Sequence, residues 1–148
     1  MLKKLQQKGT IKGFRRTPQR LAILEHLQGN KSHPSAENIY RIVAKKNPSM
    51  SFATVYNTLH TLVQEGALRE LTIDPDRKRY DPDTSNHHHL ICLVCRKVVD
   101  IPGDIPVDVP RGMVKDFSIM GNQIEFYGIC SPCGKLKKED SCPYGVAR

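Results

Sequence analysis

The sequence predicts an α+β chain built in two unlike parts. Three observations predict it. Three capped, amphipathic helix patterns follow one another from about residue 17 to about residue 65. Two short strand-like runs joined by a turn come next. Every cysteine lies in the remainder, four of the five in CxxC pairs. The 148 residues carry a net charge of +8, divided as unevenly as the cysteines: residues 1–84 hold 15 Lys/Arg against 8 Asp/Glu, and residues 85–148 hold 8 against 7. The expected domains are therefore 1–84 and 85–148, each small for a single hydrophobic core. A basic first domain suits a polyanion, with nucleic acid the first candidate and a merely solvated surface the bland alternative. No apolar run approaches the roughly 18 residues of a membrane span. The opening MLKKLQQKGTIKG lacks an apolar signal core, which points to the cytoplasm.

The first helix is expected at "TPQR", where Thr17 can cap, Pro18 suits the first turn and Gly29 can terminate; Leu21, Leu24 and Leu27 recur along it. The second starts at Ser35, with Ala36, Ile39, Tyr40 and Val43 at helical spacing. The third runs from the cap Ser51 to about Glu65, with Gly66 as its stop and Phe52, Val55, Leu59, Leu62 and Val63 on one face. "ALRELTI" and "KRYD" then read as strands around the turn "DPDR". Three helices followed by a two-stranded hairpin is the order of a winged helix-turn-helix, whose last helix enters the major groove. At about 100° per residue, Asn57 and Thr61 lie opposite the apolar face, Thr54 and Gln64 lie nearby, and Tyr56 lies at the margin. Uncharged polar side chains suit base edges, because Asn can pair bidentately with adenine.

In the second domain, Cys92-x-x-Cys95 and Cys130-x-x-Cys133 are separated by 34 residues. Four thiolates make a closed tetrahedral zinc site that can hold together a domain too small to rely on its core. A thioredoxin-type pair is disfavoured because no βαβ pattern surrounds either CxxC. A zinc deaminase needs a His-x-Glu, and the chain has none. Cys142 lies outside the pattern. "NHHHLICLVC" places three histidines just before the first pair. In a strand, His87 and His89 share a face and His88 points away. Two imidazoles with a carboxylate nearby, Asp81 or Asp100, form a harder site suited to Fe(II), Mn(II) or Zn(II). His33, in the loop before the second helix, is a further candidate that spacing alone cannot join to the others.

"TPQR", "HPSAENIY", "SFATVYNTL", "NHHHLICLVC" and "YGICSPC" resemble, in order, the motifs of ferric uptake regulator family repressors across about residues 13–135. The resemblance implies a homodimer with an N-terminal winged helix on DNA, a small C-terminal α/β dimerisation domain, and a regulatory metal at the hinge between them. It implies the regulatory ligands His33, Asp81, His87, His89 and Asp100, and structural zinc on Cys92, Cys95, Cys130 and Cys133. DNA contacts map to Arg15, Tyr56 and Asn57, beside the polar Thr54. Iron-uptake members usually carry Glu at the position of Asp100 and Arg at that of Asn57, whereas this chain is similar to peroxide-responsive repressors at both. A further metal site of many iron regulators falls on Asn86, His88 and Asn122, two of them poor ligands, so two metals are expected and His88 is a bystander. The implied function is a repressor, not an enzyme, that binds a double-stranded operator with inverted-repeat symmetry while Fe(II) or Mn(II) is bound. With Fe(II), peroxide would oxidise His33 or His87 and release the DNA. The alternative is an iron- or zinc-responsive repressor of metal uptake. The Pro-rich "IPGDIPVDVP" suggests that part of the family's usual C-terminal helix is missing.

Overall fold

The computed structural model describes residues 14–72, 77–110 and 116–135. They divide into two compact units, one ending at Ser85 and the other beginning at Asn86. The first holds α1 (Pro18–Leu27), α2 (Ala36–Lys46), α3 (Phe52–Gln64), β1 (Arg69–Leu71) and β2 (Arg79–Asp81). Each helix begins at a hydroxyl cap. Thr17 accepts from the Arg20 N–H, Ser35 from Asn38 and Ser51 from Thr54, satisfying amide donors that the helices cannot satisfy themselves. Gly66 ends α3 at φ 65°, and the Ala67 N–H then bonds back to the Leu62 carbonyl, a reversal that a Cβ would strain. Of the expected turn, Asp74, Pro75 and Asp76 lie outside the described residues.

The three helices bury Ile23, Leu24, Leu27, Ile39, Val43, Val55, Leu59 and Leu62 together with Tyr80 from the hairpin. Two details differ from the spacing. In α1, Ile23 joins the buried face, and Leu21 is only partly covered. In α3, Phe52 stands 41% exposed, edge-on to Tyr40, and the polar Thr58 is buried. Thr58 is tolerated there because its hydroxyl donates to the Thr54 carbonyl at 2.6 Å. The hairpin is antiparallel, pairing Arg69 with Asp81 and Leu71 with Arg79. It also grips the loop before α2, where the Tyr80 N–H donates to the Pro34 carbonyl and Ser35 bridges to Arg79.

The second unit contains β3 (His87–Cys92), β4 (Val98–Pro102), β5 (Glu125–Gly128) and the short helix α4 (Ser131–Lys135). The sheet order is β4–β3–β5, antiparallel on one side of β3 and parallel on the other. Among the described residues between Pro102 and Glu125 there is no helix. None of the described helices is long and apolar enough to cross a membrane.

Leu59→Ala should destabilise the first unit by about 2–5 kcal/mol, since a fully buried leucine leaves a cavity, and urea unfolding will measure it. Glu37 supplies a pH signature. The Ser35 side-chain hydrogen bond, aided by its own backbone and by Arg77 and Arg41, holds its carboxyl below the ordinary 4.5. Its stabilising effect is present above that value and fades as pH falls through the lowered one. The stability gap between wild type and Glu37→Gln should therefore be full at pH 7 and close on acidification, as read by urea unfolding across that range.

Candidate metal centres and nucleic-acid interface

The four cysteines of the CxxC pairs converge from three elements. Cys92 ends β3, and the chain turns sharply through Arg96 at φ 58°, with the Cys92 N–H on the Lys97 carbonyl and the Arg96 N–H on the Cys92 carbonyl. This turn returns Cys95 beside Cys92. The parallel partner β5 delivers Cys130, and the first turn of α4 delivers Cys133. All four sulfurs lie within 4.8 Å of one another, and none is in a disulfide. Cys95 and Cys130 Sγ stand 3.7 Å apart. Sulfurs bound at about 2.3 Å around a tetrahedral zinc would stand about 3.8 Å apart, so the set fits that ion. The backbone already favours charge here. Burial pushes the Cys92 thiol up, but the Cys130, Cys95 and Val94 backbone N–H groups outweigh it and bring it down to about 6. Cys133 moves the other way, to about 12, through its hydrogen bond to Cys130 and then burial.

The harder donors are arranged separately within each unit. In the second unit, β3 is hydrogen-bonded on both sides, so strand alternation sends His87 and His89 to one face. Their Nε2 atoms stand 3.0 Å apart, and Asp100 Oδ1 of β4 lies 3.8 Å from His87 Nε2. Two nitrogens bound at about 2.1 Å and at right angles would also stand about 3.0 Å apart, so these donors fit an octahedral divalent ion. Both rings are buried. In the first unit, His33 Nε2 and Asp81 Oδ1 stand 3.8 Å apart, both side chains buried. His33 sits at φ 48°, unusual for a non-glycine residue. The hairpin holds it there, because the Arg79 guanidinium donates to the His33 carbonyl just before the Pro34 contact.

His88 points to the opposite face, as alternation requires. Its Nδ1 faces the Ile124 N–H at 3.1 Å and its Nε2 faces the Ile105 N–H at 3.3 Å. Asn86 donates to Asp104 at 2.9 Å and Asn122 to the Ile105 carbonyl at 3.4 Å. The three side chains that would line a third metal site instead clasp one loop by hydrogen bonds. One contact escaped the sequence reading: the Gln123 amide nitrogen lies 3.3 Å from His89 Nδ1. No spacing rule reaches it, because it depends on β5 lying beside β3.

On α3, Asn57 and Tyr56 are exposed, Tyr56 by 44%. Thr54 is half-buried, and its hydroxyl lies 2.8 Å from the Ser51 cap oxygen. The Thr61 hydroxyl donates to the Asn57 carbonyl. Of the expected polar residues, Asn57, Tyr56 and Gln64 are exposed, whereas Thr54 and Thr61 are half-buried. Arg15 is exposed before α1, and its carbonyl accepts from the Arg20 guanidinium.

Extraction of the thiolate-bound metal, or Cys95→Ser, should lower the melting temperature and abolish stoichiometric zinc, as measured by calorimetry with elemental analysis.

Known proteins share this plan. The chain matches the Ferric uptake regulator family over residues 11–127. It is similar to the peroxide operon regulator of Bacillus subtilis (strain 168), 42% identical over 125 residues that cover 83% of this chain and 86% of that protein. It is 40% identical to the peroxide-responsive repressor PerR of Staphylococcus epidermidis over 123 residues, 82% of each chain. In fold it resembles the ferric uptake regulator Fur of Helicobacter pylori, at a TM-score of 0.72 and 22% identity, covering 93% of both chains. The family match spans most of the chain, and both peroxide regulators are at least 40% identical over more than four fifths of it, so the chain is a member of the ferric uptake regulator family.

Proposed function

We propose that this chain is a metal-dependent transcriptional repressor that senses peroxide and acts in the cytoplasm as a homodimer on double-stranded DNA. One observation carries the reading: buried His87 and His89, with the half-buried Asp100, offer hard nitrogen and oxygen donors apart from the sulfur set. A closed thiolate site suits structure, whereas N/O ligands leave an exchangeable position for a signal. The similarity to two peroxide regulators supports peroxide as that signal.

In this reading, residues 1–84 form the DNA-binding domain and residues 85–148 the dimerisation domain. His33 and Asp81 join His87, His89 and Asp100 on one regulatory ion, Fe(II) or Mn(II), while Cys92, Cys95, Cys130 and Cys133 hold zinc. Sharing ligands between the domains restricts their relative orientation. In a dimer that restriction sets the two copies of α3 about 34–36 Å apart, one turn of an inverted-repeat operator. A coupling of about 1–3 kcal/mol between ligation and DNA binding makes a usable switch. Arg15 meets the backbone, while Tyr56 and Asn57, with Thr54 beside them, face the bases.

When bound, Fe(II) would act catalytically, lending one electron to split the O–O bond of hydrogen peroxide and regaining it from the ring. In the net two-electron oxidation, one peroxide oxygen would enter a ring C–H bond of His33 or His87 and the other would leave as water. An oxidised ring is a poor ligand, so the domains regain their freedom and the DNA is released.

The deciding experiment is a gel shift on the promoter of a peroxide-defence gene, with Mn(II)- and Fe(II)-loaded protein before and after micromolar peroxide. Loss of binding with iron alone, with one added oxygen on the His33 or His87 peptide, is expected. Unchanged binding with intact histidines would leave a repressor that responds to metal supply. Separately, Asn57→Ala should cost about 1–3 kcal/mol of operator affinity and relax discrimination at one base pair, measured by competition with single-base operator variants.

A further inference from the structure

We propose that Gln123 is a positioning residue for His89, setting the imidazole tautomer that lets Nε2 serve as a ligand. The inference rests on the regulatory-metal reading above and extends it to a residue outside the ligand set.

The argument begins with the inventory of a neutral imidazole, which has one N–H donor and one lone-pair acceptor. His89 is fully buried, so both nitrogens must be satisfied by what surrounds them. Its Nε2 faces His87 Nε2 at 3.0 Å, and its Nδ1 faces the Gln123 amide nitrogen at 3.3 Å. With the amide N–H turned towards Nδ1, the ring proton belongs on Nε2, where it donates to His87. That tautomer cannot ligate through Nε2. Ligation there needs the proton on Nδ1, and Nδ1–H then needs an acceptor in the place Gln123 occupies. A half-turn of the carboxamide supplies one, bringing Oε1 to that place. The ring's proton count is unchanged: one leaves Nε2 to solvent and another enters at Nδ1.

The surroundings favour this assignment. The adjacent Ile124 is pinned on both sides, its carbonyl accepting from the His89 N–H at 3.1 Å and its N–H facing His88 Nδ1. The parallel register pairs His89 with Glu125. Gln123 therefore has a fixed backbone position beside the imidazole, while its side chain is exposed and its amide has room to turn. With its amide nitrogen already 3.3 Å from Nδ1, the carboxamide can place its oxygen there to receive Nδ1–H. Groups that orient a ligand histidine in this way typically alter metal affinity by about 10–100-fold.

The test uses the full chain with its structural zinc in place and follows Mn(II) binding by the loss of the free-ion EPR signal. Gln123→Leu keeps the shape and removes the acceptor, whereas Gln123→Glu makes the acceptor permanent. Gln123→Leu should weaken Mn(II) binding about tenfold or more, and Gln123→Glu should stay within about threefold of wild type. Nitrogen-15 NMR of the histidine rings, with Zn(II) as a diamagnetic probe of the same site, should show the His89 proton on Nδ1 in wild type and Gln123→Glu. Leu at position 123 binding as tightly as wild type, or Glu binding as weakly as Leu, overturns the proposal. His87→Ala separates the two levels. Weakened binding there with Gln123→Leu unchanged defeats this inference alone, whereas unchanged binding in His87→Ala defeats the metal-site reading beneath it.

Discussion

The second unit depends on one constraint: β3 is the central strand of its sheet and is hydrogen-bonded along both edges. A strand held on two sides cannot slip by a residue without exchanging every side chain between faces. That register puts His87 and His89 together on one face and His88 on the other. It brings Asp100 across from β4 and ends the strand at Cys92. The parallel bond to β5 then delivers Cys130, whose N–H lies 3.4 Å from Cys92 Sγ. A single six-residue strand thereby contributes donors to two candidate metal centres of opposite chemistry.

Keeping those chemistries apart is what makes a switch workable. Four thiolates around a small ion leave no vacant position and stabilise a unit with few buried side chains of its own, among them Ile91, Cys92 and Val98. Imidazoles and a carboxylate hold a divalent ion less exclusively and tolerate exchange. His88 and the two asparagines show a third outcome of the same geometry. Where metal ligands could have stood, Asn86 and Asn122 donate to the loop at Asp104 and Ile105, and His88 Nε2 faces the Ile105 N–H.

In the first unit the comparable investment is local strain. His33 is kept in a left-handed conformation by the hairpin that also carries Asp81, so the wing fixes both residues of the pair. The same unit presents Asn57 and Tyr56 outward from α3 while spending the nearby threonine hydroxyls on the helix itself. The residues suited to DNA and those suited to metal thus share one small hydrophobic core.

Much of this was written in short-range pattern. Hydroxyl caps at Thr17, Ser35 and Ser51, the stop at Gly66 and strand alternation at His87 and His89 act within a few residues, so the sequence by itself determined the three helices, the hairpin, the face of each histidine and the two cysteine pairs. It also carried enough linked motifs to identify the family. Other features required the tertiary structure. Ile23 joined the buried face of α1 with Leu21 only partly covered, and on α3 Thr58 was buried while Phe52 stayed exposed, because helix packing decides which edge of an apolar stripe is covered. The parallel pairing of β3 with β5 joins residues more than thirty positions apart in the chain. That pairing alone brought Gln123 to His89 and Cys130 to Cys92. Periodicity records which way a side chain faces; only the folded chain decides what it meets there.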